Sequence, residues 1–191
     1  MIKHCLRIAR TQRVRDPRSL TAGYRARTIR VVPCYLFTFH AYMSWLPDRK
    51  RGYVRKKKGI LPPDPDAAAQ YRRNARESGV EFTQQLQRML IDELHVASKY
   101  QRFRVHGVGN DGSHAHDLVS WRDERDWSAV RRGIKTSLTR RLNREFGKRS
   151  WFVDGASRKR VRDRRHFDYL TTTYLPDHPG WKWSPEKGFY L

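Results

Sequence analysis

The run Ser113-His114-Ala115-His116-Asp117 places two imidazoles two residues apart in a stretch of extended character. Side chains alternate faces along a strand, so His114 and His116 project together while Ala115 points away. Two imidazoles fixed in this way form a two-point clamp for a divalent metal ion. A third donor would complete a site with positions left open for substrate oxygens. The competing reading is a half-solvated strand carrying two surface histidines, and Asp117 on the Ala115 face blurs the alternation. The second chemical candidate is a tyrosine. Across Asp163 to Leu175, at about 100° per residue, Phe167, Leu170 and Tyr174 fall within about 60° of one another and read as an inward stripe. Tyr169 lies about 160–220° from that stripe, beside His166 and Thr173. Tyr174 therefore reads as core. Tyr169 is either a surface tyrosine or a phenol held toward a site, since tyrosine is among the side chains that form covalent enzyme intermediates. A free phenol titrates near ~10, so it attacks phosphorus poorly unless a cation withdraws charge from the phosphate. The histidine pair could hold that cation.

These residues need elements to position them. Val31 to Trp45 is dense in β-branched and aromatic residues and predicts a first strand. A basic run, Arg49 to Lys58, and the proline cluster that follows it mark a surface excursion over about 47–66. Ala67 to Glu77 reads as a short helix. From Thr83 to Tyr100, Leu86, Met89, Leu90, Leu94 and Ala97 recur at helical spacing. Arg102 to Gly109 and Ser113 to Trp121 then form two short strands, joined by Asn110-Asp111-Gly112, whose Asp-Gly suits the left-handed conformations of a tight hairpin. Asp126 is the predicted cap of a second helix with the stripe Trp127, Val130, Ile134, Leu138, Leu142 and Phe146, ended by Gly147. Ser150 to Val153 is a brief strand. Asp163 starts a third helix that Pro176 stops. Strand, helix, hairpin, helix, strand, helix packs most economically as an α+β fold, one antiparallel sheet with helices on one face.

The charge supports a polyanionic partner. Among 191 residues there are 41 Lys+Arg against 19 Asp+Glu, a formal net charge of +22. Eight Phe, nine Tyr and six Trp are too many for a disordered polycation. No stretch approaches the ~18 apolar residues of a membrane helix, so no membrane association is expected. Cys5 and Cys34 are too few for a disulfide framework, and the expected setting is cytoplasmic. Residues 1–30 carry nine basic residues and one acid and read as a poorly ordered basic arm. Between Arg131 and Arg165 there are 14 basic residues against three acids, half the net charge of the chain. Arg131, Arg132, Lys135, Arg140, Arg141 and Arg144 on the second helix, with Arg158, Lys159 and Arg160 after it, are the expected DNA contacts. A basic groove with aromatics for base stacking is what single strands need, and Tyr53, Trp151, Phe152 and Trp181 are candidate stackers or packing residues.

Taken in order, Phe39-His40-Ala41-Tyr42-Met43-Ser44-Trp45-Leu46-Pro47, then His114-Ala115-His116-Asp117-Leu118-Val119, then His166-Phe167-Asp168-Tyr169-Leu170 leading into Tyr174-Leu175-Pro176-Asp177-His178, resemble one family. The chain is similar to the HUH-superfamily single-tyrosine transposases of insertion sequences, including the REP-associated tyrosine transposases. The resemblance covers residues 31–183 and leaves 184–191 as a tail. It implies a ferredoxin-like α+β fold acting as a homodimer on single-stranded DNA with hairpin ends, in a prokaryotic, nucleoid-associated setting. It implies Tyr169 as the nucleophile that forms a 5′-phosphotyrosine link, and His114 and His116 as ligands of a divalent metal, Mg or Mn. Family members often place Gln or Asn one helical turn after the tyrosine as a further ligand. That position is Thr173 here, and His166 stands one turn earlier, so the third ligand is open between them. The alternative function is a non-catalytic binder of single-stranded or hairpin nucleic acid. A basic ribosome-associated protein would explain the charge but not the joint placement of His114, His116 and Tyr169.

Overall fold

A computed structural model describes residues 32–191, apart from 51, 56 and 57. The basic arm expected over 1–30 lies outside the described residues, as does Cys5. In chain order the elements are β1 (Cys34–His40), β2 (Tyr53–Arg55), β3 (Gly59–Leu61), α1 (Pro65–Asn74), α2 (Gln84–Gln101), β4 (Phe103–Asn110) and β5 (His114–Trp121). They continue with α3 (Trp127–Phe146), β6 (Ser157–Arg160), α4 (Arg164–Tyr169) running into a π-helical turn (Leu170–Tyr174), β7 (Lys182–Ser184) and β8 (Gly188–Tyr190). Among the described residues no helix is long and apolar enough to cross a membrane.

The main sheet has the order β6-β1-β5-β4-β7-β8, with every neighbouring pair antiparallel. Within it, β1-α2-β4-β5-α3-β6 is a βαββαβ unit of ferredoxin-like topology. The helices start where their capping residues say they should. Thr83 Oγ1 accepts from Leu86 N at 3.3 Å, and Asp126 Oδ1 accepts from Ser128 N and Ala129 N at 2.6 and 3.0 Å. Leu86, Leu90, Leu94 and Ala97 of α2 and Val130, Ile134, Leu138 and Leu142 of α3 bury one face of the sheet, against Tyr35, Phe37, Phe39, Val119 and Trp121.

Several expectations change. The first strand stops at His40 because the chain turns through Met43, whose φ is 63°. Ser150 to Val153 forms only an isolated bridge, Ala41 to Phe152. The β4–β5 turn does not use a left-handed glycine, since Gly112 has no positive φ. Instead Asp111 Oδ1 accepts from Ser113 N at 2.6 Å and His114 N at 2.8 Å, an Asx-type turn. Residues 184–191, expected as a tail, supply the last strand of the sheet. The basic link Ser157–Arg160 is itself a strand, fully exposed at the opposite edge, where charged side chains disfavour further pairing.

The largest change concerns the third helix. Whereas α2 and α3 share one face, α4 and its π turn lie on the other, where Leu170 and Leu175 pack on Leu36 and Leu118. With both faces covered, β5 is buried along nearly its whole length, and its burial does not alternate. The π turn closes with Leu175 N donating to Leu170 O at 3.0 Å, an i→i+5 bond. Asp117 faces the α2/α3 core. It has an unpaired buried Oδ2, and burial pushes its carboxyl up to about 7.

On the α4 face, His106 is buried with Nε2 2.7 Å from Ser120 Oγ and its ring edge-on to Phe167. Burial, then Arg104, pushes this imidazole down to about 4. The unfolded chain binds a proton below its ordinary value of 6.5 and the native state does not. Stability from this group is therefore complete above that value and is lost as pH falls toward 4, by about 3 kcal/mol at most. His106→Gln is expected to flatten the decline in denaturant midpoint between neutral pH and the acid limb relative to the unaltered protein. Parallel declines in the two would count against it.

Candidate metal and phosphodiester site

The α4 face of β5 presents His114, His116 and Leu118, and opposite them on β1 stand His40, Thr38 and Leu36. The two histidines of the strand do share a face, with ring centroids 4.6 Å apart. A third imidazole joins them. After the π turn the chain doubles back, and His178 comes to 4.5 Å from His116 and 6.0 Å from His114 by ring centroid. One ligand atom from each of His114, His116 and His178 lies within 4.8 Å of the others, the one such group among the described residues that could hold a metal ion.

Each Nδ1 is already engaged. His114 Nδ1 is 3.0 Å from Asp111 Oδ1 and 2.7 Å from Ser113 Oγ. His116 Nδ1 is 2.8 Å from Thr38 Oγ1. His178 Nδ1 donates to Tyr174 O at 2.9 Å. A carboxylate or carbonyl acceptor fixes the Nδ1–H tautomer and leaves the Nε2 lone pair free, the arrangement that orients metal-ligating histidines. Electrostatics agree with that state. Burial, then His114 and His178, pushes His116 down to about 3. Burial chiefly lowers His178, and burial, then His114 and Arg49, pushes His40 down to about 4. Although burial works against it, hydrogen bonds from His114 and Ser113 hold the Asp111 carboxyl well below the usual carboxylate range. Lowered basicity at His116 and His178 beside the ionised Asp111 carboxylate suits a cation. Three imidazoles are better donors for the later first-row ions than for Mg, whose preferred ligands are oxygens.

The site depends on close backbone approach. Gly109 of β4 lies under the returning chain, where a Cβ would stand 2.8 Å from Leu175 O and 3.1 Å from His178 Nδ1. Beyond His178, Lys182 Nζ donates to His178 O at 2.7 Å, Gly180 N to Asn110 O at 2.9 Å and Trp181 N to the buried Gln87 Oε1 at 2.8 Å.

The tyrosines sit together at this cluster. Tyr174 is not simply core: its phenol is 3.4 Å from His116 Nε2, and burial, then Tyr169, raises its pKa. Tyr169 ends α4, is 51% exposed, and has its ring 6.3 Å from that of Tyr174. Five residues of regular α-helix would set the two about 140° apart. The π turn brings them to one side. Neither residue considered for the third ligand is in the histidine group. His166 Nδ1 accepts from Arg162 N at 3.3 Å, and Thr173 is exposed with its hydroxyl 3.4 Å from that of Thr172. His178 was visible in the sequence as the histidine four residues after Tyr174, but nothing in helical spacing marks it as a ligand.

Most of the expected DNA contacts lie behind the sheet, on or beside α3. Arg131 Nη1 donates to Ala156 O at 2.8 Å and Lys135 Nζ to Val153 O at 2.7 Å, while Arg131 and Arg158 stack over Trp127 at 5.0 and 3.7 Å. Arg141 and Arg144 pair with Glu145. Arg132 and Arg140 line a shallow groove of about 380 Å³ with Gln101 and Gly133. Arg160 lies opposite Tyr35 on β1, and Lys159, opposite Leu36, is the member of the β6 set on the histidine face. Trp151 and Phe152 are buried in the core, and Trp181 sits beneath Arg88 at 4.7 Å.

No family model and no curated protein sequence matches the chain. Among solved structures, it is similar to a REP-associated tyrosine transposase bound to a REP hairpin, with 14% identity and a TM-score of 0.45 over 79% of this chain and 68% of that one. It is also similar to a presumed transposase from Deinococcus radiodurans R1, with 11% identity and a TM-score of 0.44 over 84% of this chain and 99% of that one.

Proposed function

We propose that this protein is a metal-dependent enzyme that cleaves and rejoins single-stranded DNA through a 5′-phosphotyrosine intermediate. The observation that carries the reading is the meeting of three Nδ1-anchored histidines with two tyrosines on one face of a basic protein. His114, His116 and His178 would hold the divalent ion, which when bound withdraws charge from the scissile phosphate. Tyr169 is the nucleophile of this reading. Its oxygen bonds to phosphorus, the bond from phosphorus to the 3′ oxygen breaks, and that oxygen leaves as a 3′-OH with the proton the phenol gives up. The phosphate stays esterified to the tyrosine and to the 5′ end of the strand. Attack by a 3′-OH on another strand reverses the step and rejoins the DNA. Single strands with hairpin ends are the proposed substrate, and a homodimer the proposed working form.

A second assignment within this reading is favoured by one distance. Tyr174 holds its phenol 3.4 Å from His116 Nε2, whereas Tyr169 is the more exposed. Incubating the protein with single strands copied from the DNA flanking its gene, with Mn or Mg, tests both. A denaturant-resistant protein–DNA adduct is expected that is absent in Tyr169→Phe and kept in Tyr174→Phe. The reverse pattern assigns the nucleophile to Tyr174. No adduct with any flanking strand leaves the non-catalytic binder as the function.

A further inference from the structure

Trp45 is a large apolar side chain left on the surface, 41% exposed, and the backbone on both sides of it is fixed. Before it, Ser44 N donates to Ala41 O at 3.1 Å, Ser44 Oγ to Ser113 O at 3.0 Å, and Ala41 N to Ser113 O at 2.8 Å. The loop is thus tied to the residue that precedes His114. After it, Pro47 is buried and its carbonyl accepts from Asp64 N at 2.9 Å, and Asp48 pairs with Arg72 of α1. An indole held in water by an anchored backbone exposes apolar area that the fold has every opportunity to bury.

Its neighbours say what it faces. The Trp45 ring lies 4.7 Å from the His40 ring, and His40 lies 5.5 Å from His114. The indole is therefore two ring contacts from the metal-capable cluster. The Arg49 guanidinium sits 4.2 Å over the Trp45 ring. An exposed indole with a guanidinium over one face, adjoining a phosphate site, combines the two elements that hold a single strand: an aromatic or guanidinium plane for a base and a charge for the backbone.

We propose that Trp45, with Arg49, is a nucleobase-stacking subsite that seats an unpaired base of a nucleotide neighbouring the one whose phosphate lies at His114, His116 and His178. The subsite rests on the single-strand DNA reading above. A stack of this kind is indifferent to base identity, because every base presents a π face.

The test compares two probes of equal charge, a thymidine homopolymer of about 15 nucleotides and a strand of abasic spacers of the same length. The full-length protein is expected to bind the thymidine strand about 5- to 100-fold more tightly than the spacer strand. Trp45→Leu loses most of that preference with its affinity for the spacer strand unchanged, and Trp45→Tyr keeps it. Equal Co²⁺ affinity in all three proteins shows that the histidine cluster is intact. A preference undiminished in Trp45→Leu, or no preference in the unaltered protein, overturns the subsite and leaves the DNA reading standing. Failure to bind either strand overturns both.

Discussion

His116→Ala is expected to lower divalent-metal affinity by more than about 100-fold and to remove metal-dependent adduct formation with it. His116 is the most buried of the three imidazoles, at 4% exposure, and stands between the other two. Its Nδ1 is held by Thr38, so its Nε2 is aimed before any ion arrives. Disturbing a partner of a ligand typically costs 10–100-fold in affinity, and removing the ligand itself costs more. Calorimetric titration with Co²⁺ and Mn²⁺ measures the loss, and Co²⁺ is expected to bind the unaltered protein more tightly than Mn²⁺. The substitution also leaves the Thr38 hydroxyl without a partner in a buried position, a penalty of about 1–3 kcal/mol. Melting of the apo protein separates that penalty from the loss of metal. Co²⁺ affinity unchanged in His116→Ala would remove the histidine cluster as the metal site.

Gly109→Ala is expected to have the next largest effect, although residue 109 has no side chain to donate. The added methyl meets Leu175 O at 2.8 Å and His178 Nδ1 at 3.1 Å. The first contact is with backbone, so no rotation of a side chain relieves it. The returning segment must lift, and the hydrogen bond from His178 Nδ1 to Tyr174 O goes with it. Overpacking of this kind costs about 1–3 kcal/mol in stability. Losing the orientation of one ligand should lower Co²⁺ affinity about 10–100-fold while His114 and His116 stay in place. Co²⁺ binding and melting temperature, both measured on the purified variant, check the two effects separately. A destabilised variant that binds Co²⁺ as the unaltered protein does would show that His178 is not a ligand.

What could be read in the sequence was what depends on local order. The hairpin, α2 and α3 follow from turn residues, from apolar spacing and, for α3, from the Asp126 cap that acts within three residues. The sharing of a face by His114 and His116 follows from strand alternation alone. What could not be read depends on the return of the chain. His178 reaches the cluster through a π turn and a reversal whose hydrogen bonds join residues far apart, such as Trp181 to Gln87. The strand at Ser157–Arg160 has no apolar residue to announce it and exists by backbone pairing with β1. The side of the sheet taken by α4 was equally hidden. Its apolar stripe fits either face, and the choice of the β5 face is what makes the histidines a floor beneath the tyrosines.

The π turn between Tyr169 and Leu175 makes the cluster depend on a count of residues. Closing the same five residues as ordinary α-helix would swing every later side chain about 100° around the axis, whereas removing one threonine from Thr171–Thr173 would leave an α-helix with the later side chains near their present directions. In the first case Tyr174 and the chain leading to His178 would turn away together, with no ligand or nucleophile altered. Among descendants of this sequence, exchanges within the threonine run and a single-residue deletion there should be tolerated, and single-residue insertions should be purged.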